Sequence, residues 1–214
     1  MAFIVFEGLD GSGKSTQMEL LAKFLREKLG EKKHVVVTRE PGGTALAEEL
    51  REILLRIQNE VPSPRCELLV YEASRAQHVS EVIQPALDRG DWVLCDRFTA
   101  SSVAFQSGGR SISKPEVDWM NDFATGGLIP DLNILIDVSV DESAKRRSKR
   151  SADGGEAQDR LESEKRQFHE QVRQSYLDQS RGAANWLVVD GSLSVEGIFS
   201  EIKTELAKRK WLEF

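Results

Sequence analysis

Cysteine is scarce in this chain. The 214 residues carry two, Cys66 and Cys95, in separate predicted elements and without zinc or redox spacing. That excludes a disulfide-stapled scaffold and a cysteine-built metal centre, and leaves two reduced thiols. No apolar run approaches the roughly eighteen residues a membrane span needs, and no basic leader precedes an apolar stretch of signal length. A soluble, cytoplasmic protein with no membrane partner is expected. A basic surplus is missing too: 29 Lys and Arg stand against 35 Asp and Glu, a formal net charge of −6. General nucleic-acid binding is therefore not expected, and any basic site must be local. With no Pro/Gly/Ser-rich linker, internal repeat or low-complexity tract, residues 1–214 read as a single domain able to bury a sizeable core.

What is present begins at once. Phe3 to Phe6 reads as a buried strand, and Met18, Leu20, Leu21, Phe24 and Leu25 recur at helical spacing. Between them Gly8-Leu9-Asp10-Gly11-Ser12-Gly13-Lys14-Ser15 has the pattern G-x-x-x-x-G-K-[ST], followed by Thr16. Glycine-permitted backbone N–H groups at Gly8, Gly11 and Gly13 would wrap a polyphosphate, and the following helix would aim its positive end at it. Lys14 would reach the β- and γ-phosphates, and the Ser15 hydroxyl would take Mg²⁺. The spaced pattern arises by accident on the order of once in a hundred chains of this size. The strand–loop–helix context makes accident rarer, so nucleoside triphosphate binding is expected.

Further along, His34-Val35-Val36-Val37-Thr38 suits a buried parallel strand and ends at Arg39, where ligands bind in open α/β sheets. Taken alone, Arg39 reads equally as a ligand contact or a solvated loop arginine. Thr44 can cap a helix from Ala45 to about Gln58. A long helical pattern from about Cys66 to Leu87 puts Tyr71 and Arg75 one turn apart. They could sandwich and hydrogen-bond a base, though a packed tyrosine with a snorkelling arginine is the plainer reading. Trp92 to Cys95 forms the third strand, with Asp96 at its end as an expected Mg²⁺ partner and Arg97 as a phosphate clamp. Gln106 to Arg110 reads as a flexible loop, and helices are expected from Lys114 to Thr125 and from Asp141 through Arg150. Leu132 to Asp137 and Trp186 to Asp190 are the fourth and fifth strands. Asp159 to Leu177 and Val195 to about Arg209 complete the helices. The alternation predicts an α/β, doubly wound, parallel five-stranded sheet with helices on both faces. Lys145, Arg146, Arg147, Lys149 and Arg150, beside the glycine-hinged stretch Ser151 to Glu156, suggest a basic lid at about 145–160.

These residues resemble the thymidylate kinase family. The match rests on Phe6 through Thr16, on Thr38-Arg39-Glu40-Pro41-Gly42-Gly43-Thr44 and on Asp96-Arg97-Phe98 through Ala104-Phe105-Gln106. Tyr71 with Arg75, Pro130-Asp131 and Asp159-Arg160-Leu161-Glu162 extend it. The resemblance implies a nucleoside monophosphate kinase that passes the ATP γ-phosphoryl to deoxythymidine monophosphate, dTMP, with Mg²⁺, for dTTP synthesis. It implies Asp10 on the acceptor's 3′-hydroxyl and Arg39 and Arg97 on its phosphate. Tyr71 would stack on thymine, Arg75 would bond its carbonyl, Ser102 and Gln106 would contact the base edge, and Phe105 would crowd the 2′ position. Gly11 and Ser12 stand where some members carry a catalytic arginine. The chain therefore looks like the lid-arginine type, with Arg146 and Arg150 as candidates beside Asp10, Lys14 and Arg97. A homodimer packed through the long helix and adenine near Asp190-Gly191-Ser192 are also implied. Two alternatives are a kinase of the same fold for another monophosphate and a P-loop switch. The chain lacks the Asn-Lys-x-Asp motif of a guanine-specific switch.

Overall fold

Phe3–Glu7 forms β1, and every one of its residues is buried. It lies at the centre of a five-stranded parallel sheet of order β2-β3-β1-β4-β5, the others being Val35–Arg39, Trp92–Asp96, Leu132–Asp137 and Trp186–Asp190. The computed structural model describes residues 1–30, 34–56, 61–154 and 159–211. The central position of β1 explains its run of apolar residues, since both faces of a parallel strand are covered. Ile4 and Phe6 pack with Met18, Leu21, Ile198 and Ile202, whereas Phe3 and Val5 pack with Val79, Ile83 and Phe98. The first group joins the sheet to α1 (Lys14–Leu29) and α9 (Val195–Lys208). β2 is less buried than its valines suggest, because it is an edge strand: only Val35 is buried, and the residues after it alternate between half-buried and exposed.

α2 (Ala45–Leu55) is capped by Thr44, whose hydroxyl accepts from Ala47 N at 3.1 Å; the expected end near Gln58 lies outside the described residues. The long helix starts earlier than predicted, with Ser63 as cap and Pro64 in the first turn, as proline prefers. It runs as α3 (Pro64–His78) through a π-helical stretch, Val79–Ile83, into α4 (Gln84–Asp88).

Two expectations are corrected. Gln106 to Arg110 is not a flexible loop: α5 (Thr99–Ser102) continues as a π-helix, Val103–Gly109. Gly108 and Gly109 serve close packing there, since a Cβ on them would come within 2.8 Å of Ser175 and 2.4 Å of Phe168. Those partners belong to α8 (Arg166–Ser180), which begins seven residues later than the predicted Asp159, residues 160–163 forming turns instead. α6 (Lys114–Thr125) and α7 (Val140–Ala152) fall close to expectation. The stretches 31–33 and 155–158, the latter within the expected lid, lie outside the described residues.

Candidate active site

The carboxyl ends of β1, β2 and β3 deliver Glu7, Arg39 and Asp96 to one edge of the sheet. The loop from Glu7 to Lys14 turns there on glycines that other residues cannot replace. Gly8 has φ 133°, and a Cβ on it would lie 2.6 Å from the Ile136 carbonyl oxygen. Gly13 precedes α1 with φ 103° and no side-chain cap, leaving the first N–H groups of the helix to a ligand. Lys14 is buried and donates from Nζ to the carbonyls of Gly8 and Leu9, both at 3.2 Å. Its ammonium lies 3.8 Å from Asp10 Oδ1 and 3.9 Å from Asp96 Oδ1. Burial, and next the charge of Arg97, push it below the ordinary lysine range. Gly11, Gly13, Lys14, Ser15, Thr16, Arg39, Asp96, Arg146 and Arg150 line a cleft.

A second, smaller pocket opens beside it, among Tyr71, Arg75, Arg97, Ser102, Phe105 and Gln106. Asp10 and Arg51 line both spaces. At their junction Arg97 adopts φ 71°, strained for an arginine. Its guanidinium donates to Asp10 Oδ1 at 2.7 Å and Tyr176 Oη at 2.9 Å, and lies 5.0 Å from the Phe105 ring centroid. Burial works against the Asp10 carboxylate, but Arg97, Lys14 and Arg147 outweigh it and hold its pKa well below the usual range.

Arg75 is the most heavily engaged cation. It donates to Glu40 and Glu72 at 2.8 and 2.6 Å, to Ser102 and Asn121 at 2.8 Å and to the Phe98 carbonyl at 3.0 Å. Such a buried guanidinium is fixed in one orientation by its five acceptors, two of them carboxylates that balance its charge. The residues Ser101, Ser102, Phe105 and Gln106 reach the pocket together because positions i, i+1, i+4 and i+5 share a helical face. π-Helical turns are frequent at such sites.

The lid arginines separate. Arg146 donates to Glu142 at 2.7 Å and to the carbonyl of Gly191 at 3.0 Å, with longer contacts to those of Gly11 and Ser12. It thereby joins the first loop to the loop after β5. Arg150 bonds both Glu162 oxygens at 2.8 Å. Arg39 is not part of the smaller pocket: it is half exposed, lines the larger cleft and donates to Glu48 at 2.8 Å.

Glu7, Tyr176, Arg51 and Glu72 are among the residues of the site that escaped the sequence reading. Glu7 is fully buried and accepts from Phe98 N at 3.0 Å, Ser101 Oγ at 2.7 Å and Tyr176 Oη at 2.9 Å. Burial raises its pKa despite Arg97 and these bonds. Tyr176 comes from α8, distant in sequence, and offered no signal. Arg51 lies at i+3 from Glu48 on α2, a spacing that was readable, and Glu72 lies at i−3 from Arg75.

A phosphate-wrapping loop beside a second pocket with its own arginines defines the class: a P-loop α/β protein built to hold two phosphorylated ligands side by side. The comparisons narrow it. The thymidylate kinase family model matches residues 6–202. Thymidylate kinase of Bdellovibrio bacteriovorus is 55% identical over 213 residues, covering 99% of this chain and 98% of its own. That of Thermosipho melanesiensis is 44% identical over 201 residues, covering 94% and 95%. The crystal structure of thymidylate kinase from Ehrlichia chaffeensis superposes with a TM-score of 0.76 at 32% identity, covering 96% of this chain and 98% of that one. The chain belongs to the thymidylate kinase family and is a nucleoside monophosphate kinase.

Proposed function

We propose that the chain phosphorylates dTMP to the diphosphate with ATP, holding the donor in the larger cleft and the acceptor in the smaller pocket. The observation that carries this is the junction: Asp10 and Arg51 belong to both spaces, and Arg97 stands beside Asp10. Two phosphorylated ligands so placed meet end to end. Phosphoryl transfer runs through a loose transition state, so the protein's work is alignment and charge neutralisation. Arg97 holds the acceptor phosphate, Lys14 faces the transferring group, and Asp10 takes the 3′-hydroxyl. Tyr71 stacks on the base, Arg75, Ser102 and Gln106 read its edge, and Phe105 fills the space beside the 2′ carbon. Arg39 reaches the acceptor phosphate only by leaving Glu48.

The residues present fit Mg²⁺. Asp96 Oδ1 is buried without a hydrogen-bond partner, and Ser15 lines the same cleft. No group of three His, Cys, Asp or Glu among the described residues is arranged to hold a metal, so phosphate and water complete the shell. When bound, the cation neutralises charge on the β- and γ-oxygens. Of the lid arginines, Arg150 is the better candidate for the transferring phosphoryl, since Arg146 is tied to Glu142 and to the Gly191 carbonyl. The lid expected at about 145–160, of which 155–158 lie outside the described residues, would exclude water as a competing acceptor on this single domain.

The enzyme acts as a homodimer, supported by exposed Leu69 on α3 and by Trp119 and Phe123 on α6, whose rings stack at 5.7 Å. Its place is the cytoplasm and its product feeds dTTP synthesis. Two free cysteines accord with that compartment, and no described helix is long and apolar enough to cross a membrane. Calorimetric titration tests the two spaces. Tyr71→Ala should weaken dTMP roughly tenfold and leave an ATP analogue nearly unchanged, and Lys14→Ala should do the reverse. Either variant weakening both ligands equally would contradict the division.

A further inference from the structure

Glu67, in the first turn of α3, is fully buried yet touches neither pocket. A carboxylate so placed is costly unless its lone pairs are taken. Here they are: Arg160 Nη2 donates at 2.7 Å, Arg110 Nε and Nη2 at 3.3 Å each, and Gln106 Nε2 at 3.0 Å. Two guanidiniums around the group keep it an acceptor, and an acceptor cannot receive the amide oxygen of Gln106. The amide is therefore locked with nitrogen toward Glu67. Its oxygen has no donor among the described residues and belongs to the side chain that lines the pocket.

We propose that Glu67 is a positioning residue for base selection, acting through the orientation of the Gln106 amide. The inference rests on the acceptor-pocket reading above. Arg75 Nη2 spends one hydrogen on the Phe98 carbonyl and keeps a second. The pocket edge then offers a donor from Arg75 and an acceptor from Gln106. Thymine answers both, with a carbonyl next to an N3–H. Cytosine presents an amino group and a bare ring nitrogen there, and mismatches both. Sequence spacing hides the device, because Glu67 and Gln106 are 39 residues apart.

The test is kcat/KM for dTMP and for deoxycytidine monophosphate, with folding checked by thermal melts. Glu67→Gln replaces the acceptor by a group that can also donate, frees the Gln106 amide to turn, and should lower the dTMP preference roughly tenfold. Glu67→Asp keeps the charge that Arg110 and Arg160 need but withdraws it by a methylene, and should move the preference in the same direction. In a Gln106→Ala background, Glu67→Gln should leave the preference unchanged, since its route is gone. Equal losses on both nucleotides, or a change in preference that persists without Gln106, would overturn the role of Glu67 alone. A wild-type enzyme with no preference for dTMP would overturn the pocket reading and this inference together.

Discussion

Arg97 stands beside Asp10 where the two spaces meet, and its strained φ of 71° is held by what surrounds it. Its backbone N–H bonds the Phe6 carbonyl at 2.9 Å, while its guanidinium is fixed between Asp10, Ser101 and Tyr176. A planar fork so oriented matches phosphate oxygens bidentately. Arg97→Ala should therefore lower kcat/KM for dTMP by about a hundredfold or more, with the circular dichroism of a folded protein. Unchanged turnover would remove Arg97 from the site. The identity of this arginine was legible, because Asp-Arg follows an apolar strand. Its supports were not: Tyr176 is 79 residues away, and Glu7 reads as one more residue of a strand end. Residue type and local spacing report which groups can act, whereas their orientation is set by partners brought together only by the fold.

At the level of elements, sequence patterning found all five strands, because continuous apolar runs bounded by turns have few other uses. It misread two helical segments. Gly108-Gly109 carries the signal of a loop, and in the fold it lets the π-helical stretch approach α8. The segment from Asp159 has helical composition, yet Arg160 is turned inward to the Leu54 carbonyl at 2.9 Å and to Glu67, which delays α8 until Arg166. The long helix, expected as the dimer contact, presents Leu69 to solvent in one groove with Trp119 of α6, which stacks on exposed Phe123. Apolar groups exposed together on two packed helices favour self-association. Sedimentation should give twice the mass of one chain at micromolar concentration, and Trp119→Asp should shift it to one. A wild-type mass of one chain would contradict the dimer.

For the whole molecule, two buried groups tilt stability against pH in opposite directions. Glu7 has its pKa raised by burial from an ordinary 4.5. The unfolded chain thus releases this proton first, and the stability Glu7 confers is full below 4.5 and lost as pH rises through the raised value. Glu7→Gln should flatten that loss. His169 is pushed below 6.5 by burial and by Arg147. The unfolded imidazole is protonated first on acidification, so stability present above 6.5 is lost as pH falls through the lowered value. His169→Phe should flatten the acid side instead. Melting temperatures from about pH 4 to 8 check both, and an unchanged slope in either variant contradicts the corresponding assignment.

The central claim is that one molecule brings ATP and dTMP together across the junction at Asp10. Its most direct test is formation of nucleoside diphosphate from ATP and Mg²⁺, run in parallel with each common nucleoside monophosphate and without acceptor. The account predicts strong preference for dTMP and little ATP turnover in the control. Preference for another monophosphate would contradict the assignment of the base pocket, and turnover indifferent to every acceptor would contradict the two-ligand site itself.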